Sequence, residues 1–287
     1  MFEENYENST ELWYEEKLEL KRGVALKIKI ENILCSHQSK FQKIEVFETK
    51  PFGRMLVIDG IVMLTEADEF CYHEMITHVG MCVHPKPENV LIIGGGDGGT
   101  VREVLKHPEV KKVDLCEIDE DVIRISKKFF PNVSKSLTDK KVNIKNKDGA
   151  EFVKDCKGKY DIIIVDSTDP IGPGKTLFEE EFYKNVYKSL KDDGIAIAQC
   201  ESIFYHLDFI SKTSEVLKKI FPIFSYYYTL IPTYPSGMIG FAFCSKKYHP
   251  IKDFKMEKVN RLKNLRYYNP ETHKSSFSLP NFAKTFL

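Results

Sequence analysis

Apolar and polar positions fall into two regimes along the chain. Over residues 24–66 they alternate in short runs, VALKIKIENILCS, FQKIEVFETK and RMLVIDGIVMLTE, separated by Pro51-Phe52-Gly53 and Asp59-Gly60. Period-two alternation broken by Asp-Gly is the signature of hairpins. A small antiparallel sheet of four to six strands is expected within residues 1–67.

From residue 68 the period changes. DEFCYHEMITHVGMCVH has helical spacing, which predicts a helix with Phe70, Met75, Ile76 and Val79 on one side. Apolar runs then alternate with helical ones: ENVLIIG, TVREVLKHP, KKVDLCEID, EDVIRISKKFF, KVNIKNKD, AEFVKDC, YDIIIVD, EEEFYKNVYKSLKDDG and IAIAQC. Nearly all-apolar strands that alternate with helices predict a parallel sheet covered on both faces. LDFISKTSEVLKKIF reads as a further amphipathic helix, and YYYTLIPTYPSGMIGFAFCSK as a closing hairpin. The expected fold is α/β: a small antiparallel domain over 1–67, then a Rossmann-like parallel-sheet domain over 68–287, packed directly together.

Composition narrows the classes of function. The 42 basic and 42 acidic side chains cancel, so no overall field draws the chain to nucleic acid or an anionic membrane. Apolar runs at 90–93, 162–165 and 195–198 are far too short to span a bilayer. The acidic start lacks the apolar core of a signal segment. Seven scattered cysteines, none in a CxxC pair, read as free thiols in a reducing compartment, which points to the cytoplasm.

The candidate chemistry begins at GGGDGG, residues 94–99. Gly94, Gly96 and Gly99 fit G-x-G-x-x-G between a strand and a helix, and Glu117 ends the next strand, where an acid accepts both ribose hydroxyls. That spacing suits NAD enzymes and adenosylmethionine-type nucleosides alike. Asp97 separates them. A pyrophosphate beside its carboxylate would meet repulsion of about 4 kcal/mol at about 4 Å and an effective dielectric near 20. A phosphate-free nucleoside with a cationic tail would meet attraction instead. The alternative is that Asp97 merely caps the following helix.

Asp97, Glu117, Asp148 and Asp166 all follow successive strands, where ligands of open parallel sheets bind. Asp166 and Asp169 share the loop DSTDPIGPGKT, which contains Pro170 and Pro173. Four carboxylates on one rim suit a polycation such as an aliphatic diamine. A primary amine is protonated at neutral pH, and freeing its lone pair costs about 4 to 5 kcal/mol. One carboxylate must therefore accept a proton as the amine attacks, a task assigned to Asp166 at the strand end. Glu201, after IAIAQC, is a candidate anchor for the far ammonium. HEMITH is not a zincin site, because His73 and His78 stand five apart and do not share a helix face. His107 reads as a helix end, Tyr226-Tyr227-Tyr228 as a strand with alternate faces buried, and KKVNIKNKD as a solvated sheet edge.

Together GGGDGGTVREVLKHP, LCEIDEDVI, YDIIIVDSTDPIGP, IPTYPSG and DEFCYHEM resemble the polyamine aminopropyltransferases, from about Leu12 to the end of the chain. The resemblance implies transfer of an aminopropyl group from decarboxylated S-adenosylmethionine to putrescine, giving spermidine and 5′-methylthioadenosine, without cofactor or metal. It makes Asp166 the catalytic acid/base and Asp97 the holder of the aminopropyl amine. It places Asp169 and Tyr72 around the attacking amine, with His73 and Tyr234 as neighbouring substrate contacts. Gln42 and Glu117 match contacts to the methylthio-ribose part, Asp148 and Gly149 the adenine contacts, and Pro173 a residue lying against the base. The family's dimers or tetramers join through the N-terminal sheets. Gly174-Lys175 departs from the pattern, in which many members carry a small residue followed by an acidic or polar one. Other acceptors, namely spermidine, agmatine or cadaverine, remain open at this point, and so does an adenosylmethionine methyltransferase.

Overall fold

The structure, a computed structural model, describes residues 11–167 and 172–286, leaving out the side chains of residues 172, 173 and 175. The first five strands are β1 (Trp13–Glu15), β2 (Lys27–Gln38), β3 (Lys43–Thr49), β4 (Gly53–Ile58) and β5 (Ile61–Thr65). They pair antiparallel in chain order. The Asp-Gly signal is realised at the β4–β5 turn, where Asp59 and Gly60 have φ of 50° and 84°. Such a mirror-image turn matches the strand twist.

The second unit opens with α1 (Glu69–Met81), then β6 (Asn89–Gly94), α2 (Gly99–Val104), β7 (Lys112–Glu117), α3 (Glu120–Phe129) and α4 (Pro131–Ser134). It continues with β8 (Val142–Asn146), α5 (Gly149–Lys154), β9 (Tyr160–Asp166), α6 (Glu180–Ser189), β10 (Leu190–Gln199), α7 (Leu207–Ile220), β11 (Ile223–Leu230) and β12 (Met238–Ser245). The sheet order is β11-β12-β10-β9-β6-β7-β8, with β12 antiparallel to both neighbours and the rest parallel. The chain runs outward from β6 in both directions, so the switch point of the parallel sheet lies between β6 and β9.

Alternate residues of the central strands feed two cores. Ile92, Ile162, Ile164, Ile195 and Ile197 face one side with α1, while Leu91, Ile93, Ile163, Val165, Ala196 and Ala198 face the other with α6 and α7. Period two on a sheet buried on both faces requires this, and each isoleucine, leucine or valine among them contributes about 1.5–3 kcal/mol. The one-sided expectation for α1 needs correcting. Twelve of its residues are buried, His73, Glu74 and His78 among them, because α2, the sheet and the C-terminal segment enclose it. Tyr226 and Tyr227 likewise are both buried, one in each core. Residues 190–194, expected at the end of a helix, begin β10 instead.

The N-terminal sheet docks on the second unit through Ile44, Val46, Leu56, Ile58 and Leu64, packed on Val122, Ile125, Phe130 and Val133. This contact sets the β2–β3 loop, with Ser39 and Gln42, over the end of β7. No helix among the described residues is long and apolar enough to cross a membrane.

Candidate active site

A cleft of about 1050 Å³, counting the solvent at its open mouth, lies above the switch point, walled by both units. Its floor is the glycine loop. Gly94 has φ of 78°, and a Cβ there would overlap the carbonyl of Asp166 on the neighbouring strand. A Cβ at Gly96 would come within 2.9 Å of the Glu117 carboxylate. The motif thus needs glycine because two acids close in on its backbone.

All four rim carboxylates reach the cleft. Glu117 is buried, with one oxygen accepting from Gly96 N at 3.1 Å and the other from Asp119 N at 2.9 Å. Burial raises its proton affinity to about 7, with the two N–H groups opposing. Asp148 caps α5, accepting from Ala150 N at 2.7 Å. It stands beside Gly149, whose absent side chain leaves room for Ile93. Gln42 arrives from the N-terminal sheet and donates to Asp119 at 3.0 Å, beside Ser39, which donates to the same oxygen at 2.6 Å.

Asp97 caps the following helix and at the same time lines the cleft. Its Oδ1 accepts from Gly99 N at 2.7 Å, capping α2, and faces His73 Nε2 at 3.2 Å while lining the cleft. Burial opposes its charge, but the His73 cation, its hydrogen bond and the Gly99 N–H outweigh this and hold Asp97 below the usual carboxylate range. Asp166, at the end of β9 and within 4.8 Å of Asp97, accepts from the Thr100 hydroxyl at 2.6 Å and is hydrogen-bonded to Tyr72. Burial first, then the Asp97 charge, push its carboxyl up to about 6. The two aspartates have thus been driven apart in proton affinity, as acid and base partners are.

Tyr72, Tyr234, Met63 and Ser167 line this cleft and also a second cavity of about 530 Å³ behind it. The rings of Tyr72 and Tyr234 lie 6.5 Å apart, and Tyr234 Oη donates to Met63 O at 2.9 Å. The far end of the second cavity holds Glu19 and Glu201, both buried, on either side of His206 at 3.1 and 3.2 Å. Glu201 has φ of 54°, and its carbonyl accepts from Tyr226 Oη and Gly240 N, so its unusual backbone is held from two sides.

His73, Asp97 and Asp166 each bring a polar atom within 4.8 Å of the others. Asp97 and Glu69, overcoming burial, raise the imidazole to about 10, which favours its protonated form. His78 belongs to another network, with Glu103 and His107 each at 2.9 Å. His107 is therefore a buried partner rather than a plain helix end.

Asp169 lies outside the described residues. Pro173 lies in the helical turn Gly172–Phe178, which lends Gly174 and Leu177 to the cleft. Every other expected residue is brought to the cleft or its wall. The sequence reading missed Glu69, Thr100, Asp119, Ser39 and Glu19. Only Glu69 carried a local signal, its i, i+4 spacing to His73.

A Rossmann-like sheet with a carboxylate-rimmed cleft at its switch point is the frame of a nucleoside-dependent group transferase. The comparisons with known proteins narrow that class. The family model "Spermine/spermidine synthase domain" matches residues 69–256, and "Spermidine synthase tetramerisation domain" matches residues 12–66. The polyamine aminopropyltransferase of Leptospira biflexa serovar Patoc is 52% identical over 96% of this chain and 98% of its own length. That of Caldicellulosiruptor saccharolyticus is 48% identical over the same shares. A crystal structure of spermidine synthase with the transition state analogue AdoDATO superposes with a TM-score of 0.94 at 46% identity, over 99% of this chain and 98% of that one. Spermidine synthase from Thermotoga maritima gives 0.93 at 45%, over 99% and 97%. The chain belongs to the spermine/spermidine synthase family and is a polyamine aminopropyltransferase. The methyltransferase alternative falls with that.

Proposed function

We propose that the enzyme transfers the aminopropyl group of decarboxylated S-adenosylmethionine to putrescine, giving spermidine and 5′-methylthioadenosine. Glu117 takes the ribose hydroxyls, Gln42 flanks the methylthio-ribose part, and Asp148, Gly149 and Pro173 surround the adenine. Asp97 holds the ammonium of the aminopropyl arm. Putrescine lies along Tyr72 and Tyr234, with Asp169 near its attacking amine and the Glu19–Glu201 end of the second cavity facing its far ammonium.

Asp166 takes a proton from the attacking ammonium. The freed nitrogen lone pair attacks the methylene next to sulfur, the C–S bond breaks, and its electron pair returns to sulfur as a neutral thioether leaves. A single displacement of this kind asks for positioning and one proton acceptor, with no cofactor or metal. The observation that carries the reading is the pairing, in one cleft, of Asp166, buried and raised to about 6, with Asp97, held below the usual carboxylate range, their carboxylates within 4.8 Å.

The exposed apolar side chains Leu12, Trp13 and Ile33 on and beside the first two strands support a homodimer or homotetramer joined through the N-terminal sheet. Seven free thiols support a reducing, cytoplasmic setting.

The test is a product assay with putrescine, cadaverine, agmatine and spermidine as acceptors. Putrescine is expected to give the highest kcat/KM, and a clear preference for another amine overturns the acceptor assignment. Asp166→Asn is expected to lower kcat at least ~100-fold while the nucleoside still binds. Unchanged turnover removes Asp166 from the mechanism.

A further inference from the structure

Asp97 is not a lone carboxylate but one end of a buried chain of alternating charge. His73 Nδ1 lies 2.6 Å from Glu69 Oε2, one helical turn earlier on α1, and Nε2 lies 3.2 Å from Asp97 Oδ1. Glu69 is gripped by the guanidinium fork of Arg102, Nη1 to Oε1 at 2.9 Å and Nη2 to Oε2 at 2.8 Å. Arg102 stands on α2, whose first N–H, that of Gly99, also donates to Asp97. The loop is closed: Asp97 is tied to α2 through the backbone and again through His73, Glu69 and Arg102.

The ring has a single place to lie. A Cβ on Gly99 would overlap it, and Tyr72 meets it edge-on at 5.5 Å between centroids. The charged and titratable groups around it are Glu69 and Tyr72 from α1, Asp97 and Arg102 from the start of α2, and Asp166 from β9.

We propose that Glu69 and Arg102 are positioning residues for the transfer, acting through His73 to hold Asp97 ready for the ammonium of the aminopropyl arm. This rests on the assignment of that ammonium to Asp97. The forked Arg102 keeps Glu69 an acceptor on both oxygens, so His73 Nδ1 always carries its proton. Nε2 is then the one variable position. In the empty cleft it is protonated and serves as the counterion of Asp97, in line with the raised proton affinity of the imidazole. When the arm enters, its ammonium replaces that cation: Nε2 releases its proton to solvent and turns a lone pair toward the incoming N–H. The charge around Asp97 is thus conserved as one cation takes the place of another. An amide at position 69 removes one of the two negative charges that flank the ring, so less of the imidazole carries a proton to give up when the arm enters.

The experiment is calorimetric titration of wild type, Glu69→Gln and Arg102→Lys at pH 8 in two buffers of different ionisation enthalpy. Decarboxylated S-adenosylmethionine and 5′-methylthioadenosine, which lacks the amine, are the two ligands. Wild type is expected to release up to about one proton with the first and none with the second. Both variants are expected to bind the first roughly 10-fold or more weakly, as when an outer partner of a binding residue is lost, with the second unchanged. Glu69→Gln is also expected to release less of that proton.

Equal weakening of both ligands, or wild-type proton release that does not differ between them, overturns the proposal. If a variant does not fold, the wild-type proton count still decides the exchange at His73, and Glu69→Asp, titrated in the same way, decides the role of Glu69. If wild type shows no preference for the amine-bearing ligand, the role of Asp97 itself falls, and this proposal with it. A preserved preference with unchanged variants sinks only the roles of Glu69 and Arg102.

Discussion

Thr100 contributes one hydroxyl to the cleft, and its effect can be read in a pH profile. Its hydrogen bond favours the charged form of Asp166, against burial and the nearby Asp97 charge. A base raised to about 6 is active above that pH and is lost as pH falls through it, so kcat/KM should drop on the acid side near pH 6. Thr100→Val keeps the shape and removes the donor. Its acid limb is expected to move upward, with the activity loss greatest near pH 6; a limb that stays in place would detach Thr100 from the proton acceptor. At this scale the rim acids Asp97, Glu117, Asp148 and Asp166 were legible because each ends a parallel strand or follows it within three residues. Thr100, Asp119 and Arg102 were not. The roles of Thr100 and Arg102 depend on which face of α2 turns inward, and polar residues in a helix carry no mark of that in one sequence; Asp119, the N-cap of α3, acts through Ser39 and Gln42 from the other unit.

Among the elements, β7 is the clearest case of a strand whose end is costly until a ligand arrives. Glu117 is buried there with its proton affinity raised above that of the unfolded chain, from 4.5 to about 7. The folded state therefore binds more protons than the unfolded state in that window, and stability falls as pH rises through it. Glu117→Gln is expected to raise the melting temperature of the ligand-free protein by ~2–4 °C at pH 8, to change it little at pH 4, and to abolish nucleoside binding. Thermal unfolding at the two pH values checks this, and an equal shift at both would remove the charge as its cause. The strands and the closing hairpin were readable from period alone. KKVNIKNKD contains the edge strand β8, half-buried along most of its length, and its lysines discourage pairing with another edge. Helix α1 was misread because its polar residues suggested an outer face. Glu74 instead accepts three backbone N–H groups, from Arg266, Tyr267 and Tyr268, so it is satisfied by a segment nearly two hundred residues away.

For the molecule as a whole, the two units are bound by the apolar contact of the N-terminal sheet with α3 and α4, and the cleft exists only where they meet. Ile33 is 58% exposed on β2, although Phe47, its partner on β3, is buried. Ile33→Glu is expected to lower the oligomeric mass in sedimentation while leaving each chain folded; an unchanged mass would move the contact elsewhere.

The spread of the seven cysteines has a consequence for watching the enzyme breathe. Six are buried, and Cys35 alone is partly open to solvent. Burial pushes the thiols of Cys71, Cys82 and Cys116 up to about 12, so little thiolate forms until the chain around them opens. A thiol reagent should label Cys35 at once and the rest at the pace of local unfolding. Cys116, which lines the cleft, should be shielded further by a bound nucleoside, so that mass spectrometry over time becomes a clock for each half of the molecule.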